Sequence, residues 1–292
     1  MLFAVQQKTS QCAFSLIELS IVLVILGLLT GGILAGQSLI RASELRSLNT
    51  DLNKYLAATL VFRDKYFAIP GDMANATSFW GSLGSNGADS GCQLLAATAG
   101  TATCNGNGNG SLFPASNVGP LTTSSHAEMV RFWQHLANAG LIEGQYTGYI
   151  AGTANTDRLP GVNVPAGKIP STYFYAEIGF GAVCCDASST YSAGSTTRYA
   201  GDYGRGEFWF NTLSASWTAS GSFALKPEEL WNVDTKMDDG NPAYGRIIAI
   251  KGNGTNTFCT TSAGISPPGD ANSSYKLDNS ARDCAFYYTK AF

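Results

Sequence analysis

The chain has 292 residues, a formal net charge of −3 and only 13% charged side chains, a balance that argues against binding nucleic acid through phosphate neutralisation. Its length admits one large or two small domains, and 45% hydrophobic content is ordinary for a folded protein. The 33 glycines among so few charges point to a loop-rich, largely β surface domain of the kind found outside the cell.

The first organising feature is an uncharged apolar run of 22 residues from Leu19 to Ile40. At about 1.5 Å per residue such a helix spans about 33 Å, the thickness of a bilayer's hydrocarbon core. A carboxylate, Glu18, stands just ahead of it, preceded by Phe14, Ser15, Leu16 and Ile17. At the bilayer centre a charge costs about 2.5–3.5 kcal/mol, less near the interface, so Glu18 asks for a partner or a role. Dipole stabilisation at a helix N-terminus accounts for about 1 kcal/mol at most at an exposed site. Within the run, Gly27 with Gly31 and Gly32 with Gly36 form two small-xxx-small pairs. These fit either the general abundance of glycine in membrane helices or close packing against a second helix.

The stretch Ala13-Phe14-Ser15-Leu16-Ile17-Glu18-Leu19 resembles the class III signal of type IV pilins and type II secretion pseudopilins, usually Gly-Phe-Thr-Leu-Ile-Glu-Leu. The resemblance implies that residues 1–13 are a leader, that a prepilin peptidase cuts between Ala13 and Phe14, and that the new amino terminus on Phe14 is methylated. It makes Glu18 the fifth residue of the mature chain, where it pairs with the methylated amine of a neighbouring subunit and sets the axial register of a filament. Ala13 replaces the usual Gly, and the proline that many pilins carry in the second half of the span is absent. A secretory signal would be cut after its apolar core rather than before it. Ile33-Leu34-Ala35-Gly36 resembles a lipoprotein box, but Gln37 stands where the lipidated cysteine would have to be.

The helix is expected to continue beyond the apolar run. Leu45, Leu48, Leu52, Tyr55, Thr59, Phe62 and Tyr66 alternate spacings of three and four, a single seam, with Arg46, Asp51, Lys54 and Arg63 elsewhere on the surface. One helix is thus predicted from Phe14 to Phe67, ended by Pro70-Gly71. The soluble part begins with Phe67-Ala68-Ile69-Pro70-Gly71-Asp72 and runs into a Gly/Ser/Asn-rich region ending in Asn105-Gly106-Asn107-Gly108-Asn109-Gly110. That tract reads as a flexible loop, too polar to pack. A second helix is predicted from His126 to Ala139, with Ser125 and Glu128 as a capping box, Met129, Val130, Trp133, Leu136 and Ala137 as its apolar stripe, and Gly140 as its stop. The segment Phe132 to Ile142 is similar to one found in large pilin-like proteins. Strands are expected over Thr172–Phe180, Glu207–Leu213, Arg246–Lys251 and Ala285–Thr289. A short helix opens at Pro227, with Glu228 and Glu229 on its positive end. The fold class expected is α+β and pilin-like, a long N-terminal helix packed on a loop-rich antiparallel sheet, with domains at 1–13, 14–67 and 68–292.

The chemistry-bearing residues are few. With Cys12 in the leader, six cysteines remain: Cys92, Cys104, Cys184, Cys185, Cys259 and Cys284. An even set fits disulfides in an oxidising compartment. The pairings expected are Cys92–Cys104 and Cys259–Cys284, each closing a Gly- or Pro-containing loop. Adjacent Cys184 and Cys185 either form a vicinal bridge or pair elsewhere. Asp234, Asp238 and Asp239 are the best metal candidates, and Ca²⁺ would suit such oxygen ligands. Their spacing does not match an EF-hand, and Asp-Gly followed by Asn-Pro is a turn signature, so the turn reading is preferred and no metal is assigned. His126 and His135 lie nine residues apart and cannot form a metal pair. His126 is expected to be solvated and His135 to sit at the core's edge. No nucleophile elbow, phosphate loop or CxxC is present, and catalysis is not expected.

By this resemblance the chain is a pilin, minor pilin or pseudopilin, inserted once in a bacterial inner membrane with its soluble domain outside and then assembled into a pilus or pseudopilus. Its size favours a minor or specialised subunit. The partners implied are prepilin peptidase, other pilin subunits, the inner-membrane assembly platform and, before assembly, membrane lipid. Lys8 on the N-terminal flank against Arg41 and Arg46 beyond the span mildly opposes this orientation, and the cysteine set and the motif outweigh it. The rival readings are a secreted binding protein or enzyme, or a single-span anchored protein that never assembles.

Overall fold

The computed structural model describes residues 15–83, 100–110, 112, 127–148, 158–177, 207–212, 223–243, 245–250, 259–261, 273–288 and 291. The chain divides into two compact units, Met1–Glu44 and Leu45–Phe292. A single helix, α1, Leu16–Tyr66, contributes to both.

In the first unit α1 carries the apolar run, and its large side chains are exposed throughout, Leu23 at 61% and Leu34 at 68%. Its polar side chains turn back on the helix. Ser20 Oγ donates to the Ile17 carbonyl at 2.9 Å, Thr30 Oγ1 to Leu26 at 2.9 Å and Ser38 Oγ to Ala35 at 2.9 Å. Every such hydroxyl closed internally is one fewer to be satisfied by water, the condition a helix must meet in hydrocarbon.

In the second unit the expected seam is buried. Leu48, Leu52, Tyr55, Ala58, Thr59 and Phe62 are all inside, with Leu45 and Tyr66 packed at the margin. Thr59 satisfies its hydroxyl on the Tyr55 carbonyl at 2.8 Å. The helix ends at Tyr66, four residues before Pro70: Phe67 adopts φ 52° and donates its N–H to the Arg63 carbonyl at 2.8 Å. The end is therefore a left-handed cap by a non-glycine residue, ahead of the predicted Pro70-Gly71 stop.

A single turn, α2, Thr77–Trp80, follows, then α3, Ala127–Asn138. Strands β1, Thr172–Glu177, and β2, Glu207–Thr212, precede α4, Pro227–Met237; β3, Ile247–Ile250, and β4, Ala285–Tyr288, complete the order. The sheet among the described residues is antiparallel throughout, in the order β1-β2-β4-β3. All four strands fall inside the predicted ranges, and the outer residues of those ranges, except Arg246, lie outside the described residues. The result is the α+β, pilin-like architecture expected.

Register explains where the core sits. Phe174 of β1, Phe210 of β2 and Phe286 of β4 stand directly opposite one another, with ring centroids 5.2 Å and 5.5 Å apart. Two residues along the same face, Phe208 meets Trp133 of α3 at 5.7 Å and Tyr55 of α1 at 6.3 Å. Tyr55 in turn contacts Trp133 edge-on at 5.0 Å and Phe174 at 5.1 Å. Each such aromatic pair adds about 0.5–1.5 kcal/mol beyond its burial. Tyr55 is thus the point where α1, α3 and the sheet meet, and burial pushes its phenol well above the ordinary range.

Candidate functional site

The N-terminal site begins with local helix chemistry. Ser15 precedes the first helical residue, and its Oγ accepts the Ile17 N–H at 3.3 Å while Glu18 Oε2 accepts the Ser15 N–H at 3.0 Å. This is a capping box, legible as Ser-x-x-Glu at 15–18 and distinct from the assembly role expected of Glu18. The same carboxylate that stands at the head of the apolar run accepts the N–H of the cap residue Ser15, at the helix end where the macrodipole also favours negative charge. Ala13 and Phe14 lie outside the described residues. Gly27, Gly31, Gly32 and Gly36 have nothing within 4 Å of the position a Cβ would take, so no packing within the described chain accounts for their smallness.

The second unit is organised around α3, and here two expectations are corrected. His135 is not at the core's edge but fully buried. Its Nδ1 accepts the Gly71 N–H at 2.9 Å, which places the ring proton on Nε2, 3.1 Å from Thr103 Oγ1. Thr103 donates onward to Gln134 Oε1 at 2.7 Å, and Gln134 Nε2 donates to the Ala102 carbonyl at 3.2 Å. The chain of donors runs one way and leaves the imidazole neutral. Burial first, and the Arg131 guanidinium second, depress its pKa to about 3. Periodicity marked only the apolar stripe of α3; in fact Glu128 through Leu136 are all buried, because the polar side chains have found partners inside.

The Asn-Gly tract is also not a loose loop. Gly106 donates its N–H to the Met73 carbonyl at 2.9 Å and Gly108 to the Asp72 carbonyl at 3.0 Å. Asn109 and Gly110 donate to the Asp72 carboxylate at 3.1 Å and 2.8 Å, and Asn107 to Glu128 Oε1 at 2.9 Å. Arg131 Nη1 completes the attachment on the Asn105 carbonyl at 3.1 Å. A Cβ at Gly106 would collide with the Asp72 backbone, and one at Gly71, φ 87°, with the Glu128 carbonyl. Glycine is needed at both because backbone lies on backbone. Burial raises the Asp72 pKa, and the three N–H groups of Gly110, Asn109 and Gly108 oppose that rise. The predicted cap partner Ser125, and His126, lie outside the described residues; Glu128 is used to hold the tract.

Asp234, Asp238 and Asp239 are brought together, with one carboxylate oxygen of each within 4.8 Å of the others. Asp234 is buried on α4, where Tyr275 donates to its Oδ2 at 2.7 Å. Burial is the main cause lifting its pKa to about 7, partly opposed by the Tyr275 hydrogen bond. Asp238 Oδ2 accepts the N–H groups of Arg246 and Ile247, joining the end of α4 to β3, and Asp239 Oδ1 accepts the Asn241 N–H at 2.8 Å.

Cys259 and Cys284 are disulfide-bonded with Cα atoms 5.1 Å apart, as expected. Cys104 is disulfide-bonded too. Its expected partner Cys92, and Cys184 and Cys185, lie outside the described residues. Searches of curated proteins and of solved structures return no match to the chain. The family description "Prokaryotic N-terminal methylation motif" matches residues 8–34, the interval that contains the capping box and the glycine pair Gly27–Gly31. With that motif at the head of a long helix, and a small antiparallel sheet and a disulfide beyond it, the chain carries the signature of the type IV pilins and pseudopilins.

Proposed function

We propose that this protein is a structural subunit of a type IV pilus-like filament or of a secretion pseudopilus. The carrying observation is the match to the methylation motif at residues 8–34, within which Glu18 heads the apolar run. In this reading prepilin peptidase cuts between Ala13 and Phe14, the Phe14 amine is methylated, and the first unit of α1 holds the subunit in the inner membrane. The exposed apolar surface of that unit supports both a lipid phase before assembly and helix-to-helix burial after it. Glu18 then exchanges part of its cap for the methylated amine of a neighbour, an ion pair whose rupture in a low-dielectric core would leave a costly buried charge. Disulfides at Cys104 and Cys259–Cys284 support an extracytoplasmic position for the second unit.

The test is mass spectrometry of the protein isolated from its native host, in parallel from the membrane fraction and from sheared surface fibres. The expected result is a chain beginning at N-methyl-Phe14 in both fractions. A chain that retains Met1, or that begins near Gly36, would sink the assembly reading.

A further inference from the structure

We propose that the open groove at the C-terminal end of α1 receives, from a second copy of this chain, the turn Lys276-Leu277-Asp278. The groove, of about 570 Å³, is lined by Leu60, Arg63, Asp64, Phe67, Ala68 and Ile69. Phe67 is its clearest mark. Its side chain is 94% exposed and its backbone sits at φ 52°, a conformation that bulky residues rarely take. The left-handed cap accounts for the backbone, but not for an aromatic ring in solvent where glycine or asparagine would serve.

Charge and shape identify the occupant. Arg63 and Asp64 bring opposite charges to the groove, and neither side chain has an ion-pair partner among the described residues. The turn at 276–278 presents the complementary set. Leu277 is 52% exposed between Lys276 and Asp278, whose side chains are likewise without an ion-pair partner among the described residues. The turn is also fixed in shape. Lys276 donates its N–H to the Cys259 carbonyl at 3.0 Å, Leu277 to the Tyr275 carbonyl at 3.1 Å and Asn279 to the Lys276 carbonyl at 3.0 Å, all within the loop closed by Cys259–Cys284. With Leu277 laid against Leu60 and Phe67 of another copy, Asp278 meets Arg63 and Lys276 meets Asp64. A turn held rigid before contact loses little entropy on docking.

Groove and turn are different surfaces of one chain, each exposed in its own copy, so their pairing is head-to-tail and can repeat from copy to copy. So small a contact is well short of the roughly 20–30 residues a side of a stable interface. It counts only between copies already held together, as the first units would hold them in a filament, where the effective concentration is high. To that extent it rests on the function proposed above.

The experiment is disulfide trapping of the full chain in its native host. Phe67→Cys and Leu277→Cys are combined in one chain, both at exposed positions where the fold tolerates cysteine. A mild thiol oxidant is applied to intact cells, membrane and sheared-fibre fractions are separated without reductant, and peptide mass mapping assigns every link, native bridges included. Expected is a ladder of covalent multimers joined from position 67 of one copy to position 277 of the next. Arg63→Asp and Asp278→Arg, each added to that chain, should lower the yield about threefold or more, and the two together should restore it. No 67-to-277 link in either fraction, or a yield indifferent to both charge reversals, would overturn the proposal. A 67-to-67 link in the Phe67→Cys chain would overturn it too, in favour of a symmetric contact between grooves. The amino terminus is read on the same material. Fibres that begin at N-methyl-Phe14 but lack the link would sink the contact and leave the filament, whereas the link without methylated Phe14 would leave the contact and sink the filament.

Discussion

The two units of this chain use one helix under opposite rules. Before Glu44, α1 exposes its leucines and isoleucines and closes its hydroxyls on its own carbonyls. After Leu45, the same helix buries one seam against α3 and the sheet. What decides the difference is the partner each half finds. The second half finds it within its own chain, where Tyr55, Trp133 and Phe208 interlock. The first half closes its hydroxyls on its own backbone but leaves its apolar side chains exposed, the surface that lipid or other subunits would cover under the function proposed above.

The contrast is sharpest in paired truncations. Trp133→Ala removes a fully buried ring and should cost about 3–5 kcal/mol, read as a lower midpoint in denaturant unfolding of the full chain in detergent. Leu23→Ala, at a position 61% exposed, should leave that midpoint within about 0.5 kcal/mol while reducing recovery in sheared fibres. An equal loss in both would show that the division of labour is wrong.

The second unit has a pH signature of its own, carried by buried groups on α3 and α4. His135 has a folded pKa near 3 against an unfolded value of about 6.5, so the unfolded chain binds the proton first. Its contribution to stability is complete above pH about 6.5 and falls, by about 1.4 kcal/mol per unit, as pH drops toward 3. Asp234 acts in the other direction. Its folded pKa near 7 exceeds the carboxylate value of 3.8, so its contribution is greatest below 3.8 and is lost as pH rises to 7. Asp72, also raised by burial, adds to the second trend. Between about pH 4 and 6.5 the two slopes offset in the unaltered protein. Asp234→Asn should therefore expose a loss of stability on acidification, and His135→Gln a gain. If both variants keep the flat profile, these groups do not titrate as their burial requires.

A smaller effect on folding is expected at Glu18. Glutamine retains an acceptor for the Ser15 N–H but not the charge, so Glu18→Gln should change helix stability by less than about 1 kcal/mol. Fibre recovery after shearing should nevertheless fall steeply if the charge serves a neighbour's amine. Undiminished fibres would leave Glu18 as a cap alone.

Much of this was legible because it rests on periodicity and local chemistry. The seam from Leu45 to Tyr66, the four strands, the helix opening at Pro227 and the Cys259–Cys284 pair all follow from spacing or from residue type. Where the reading failed, polar groups were satisfied by partners remote in sequence. Nothing in residues 126–139 says that His135 will meet Gly71, 64 positions away. Nor does Asn105 to Gly110, read alone, say that Asp72 and Glu128 will receive its N–H groups. The capping box at Ser15 and Glu18 was local and readable, but a second role for the same carboxylate obscured it.

The last prediction turns on that misread tract and asks whether it is held rather than loose. An Asn-Gly pair in a mobile loop loses its amide when the glycine nitrogen attacks the asparagine Cγ, releasing ammonia; water then opens the succinimide to aspartate or isoaspartate. Here all three attacking nitrogens are engaged, Gly106 on Met73, Gly108 on the Asp72 carbonyl and Gly110 on the Asp72 carboxylate. The tract should thus resist deamidation in the folded chain far better than in denaturant. Asp72→Ala keeps the backbone carbonyls and removes only the carboxylate, so the change should be ordered: Asn109 converts first, Asn107 next as the turn loosens, and Asn105 least because Met73 still holds Gly106. Peptide mass mapping after incubation at mildly alkaline pH reads each site separately. Uniform conversion at all three asparagines in the unaltered chain would mean that the glycine N–H groups are free and that the tract is the flexible loop its composition suggests. Conversion confined to Asn109 in the variant would instead tie its chemical lifetime to one buried carboxylate, Asp72, in the turn beyond α1.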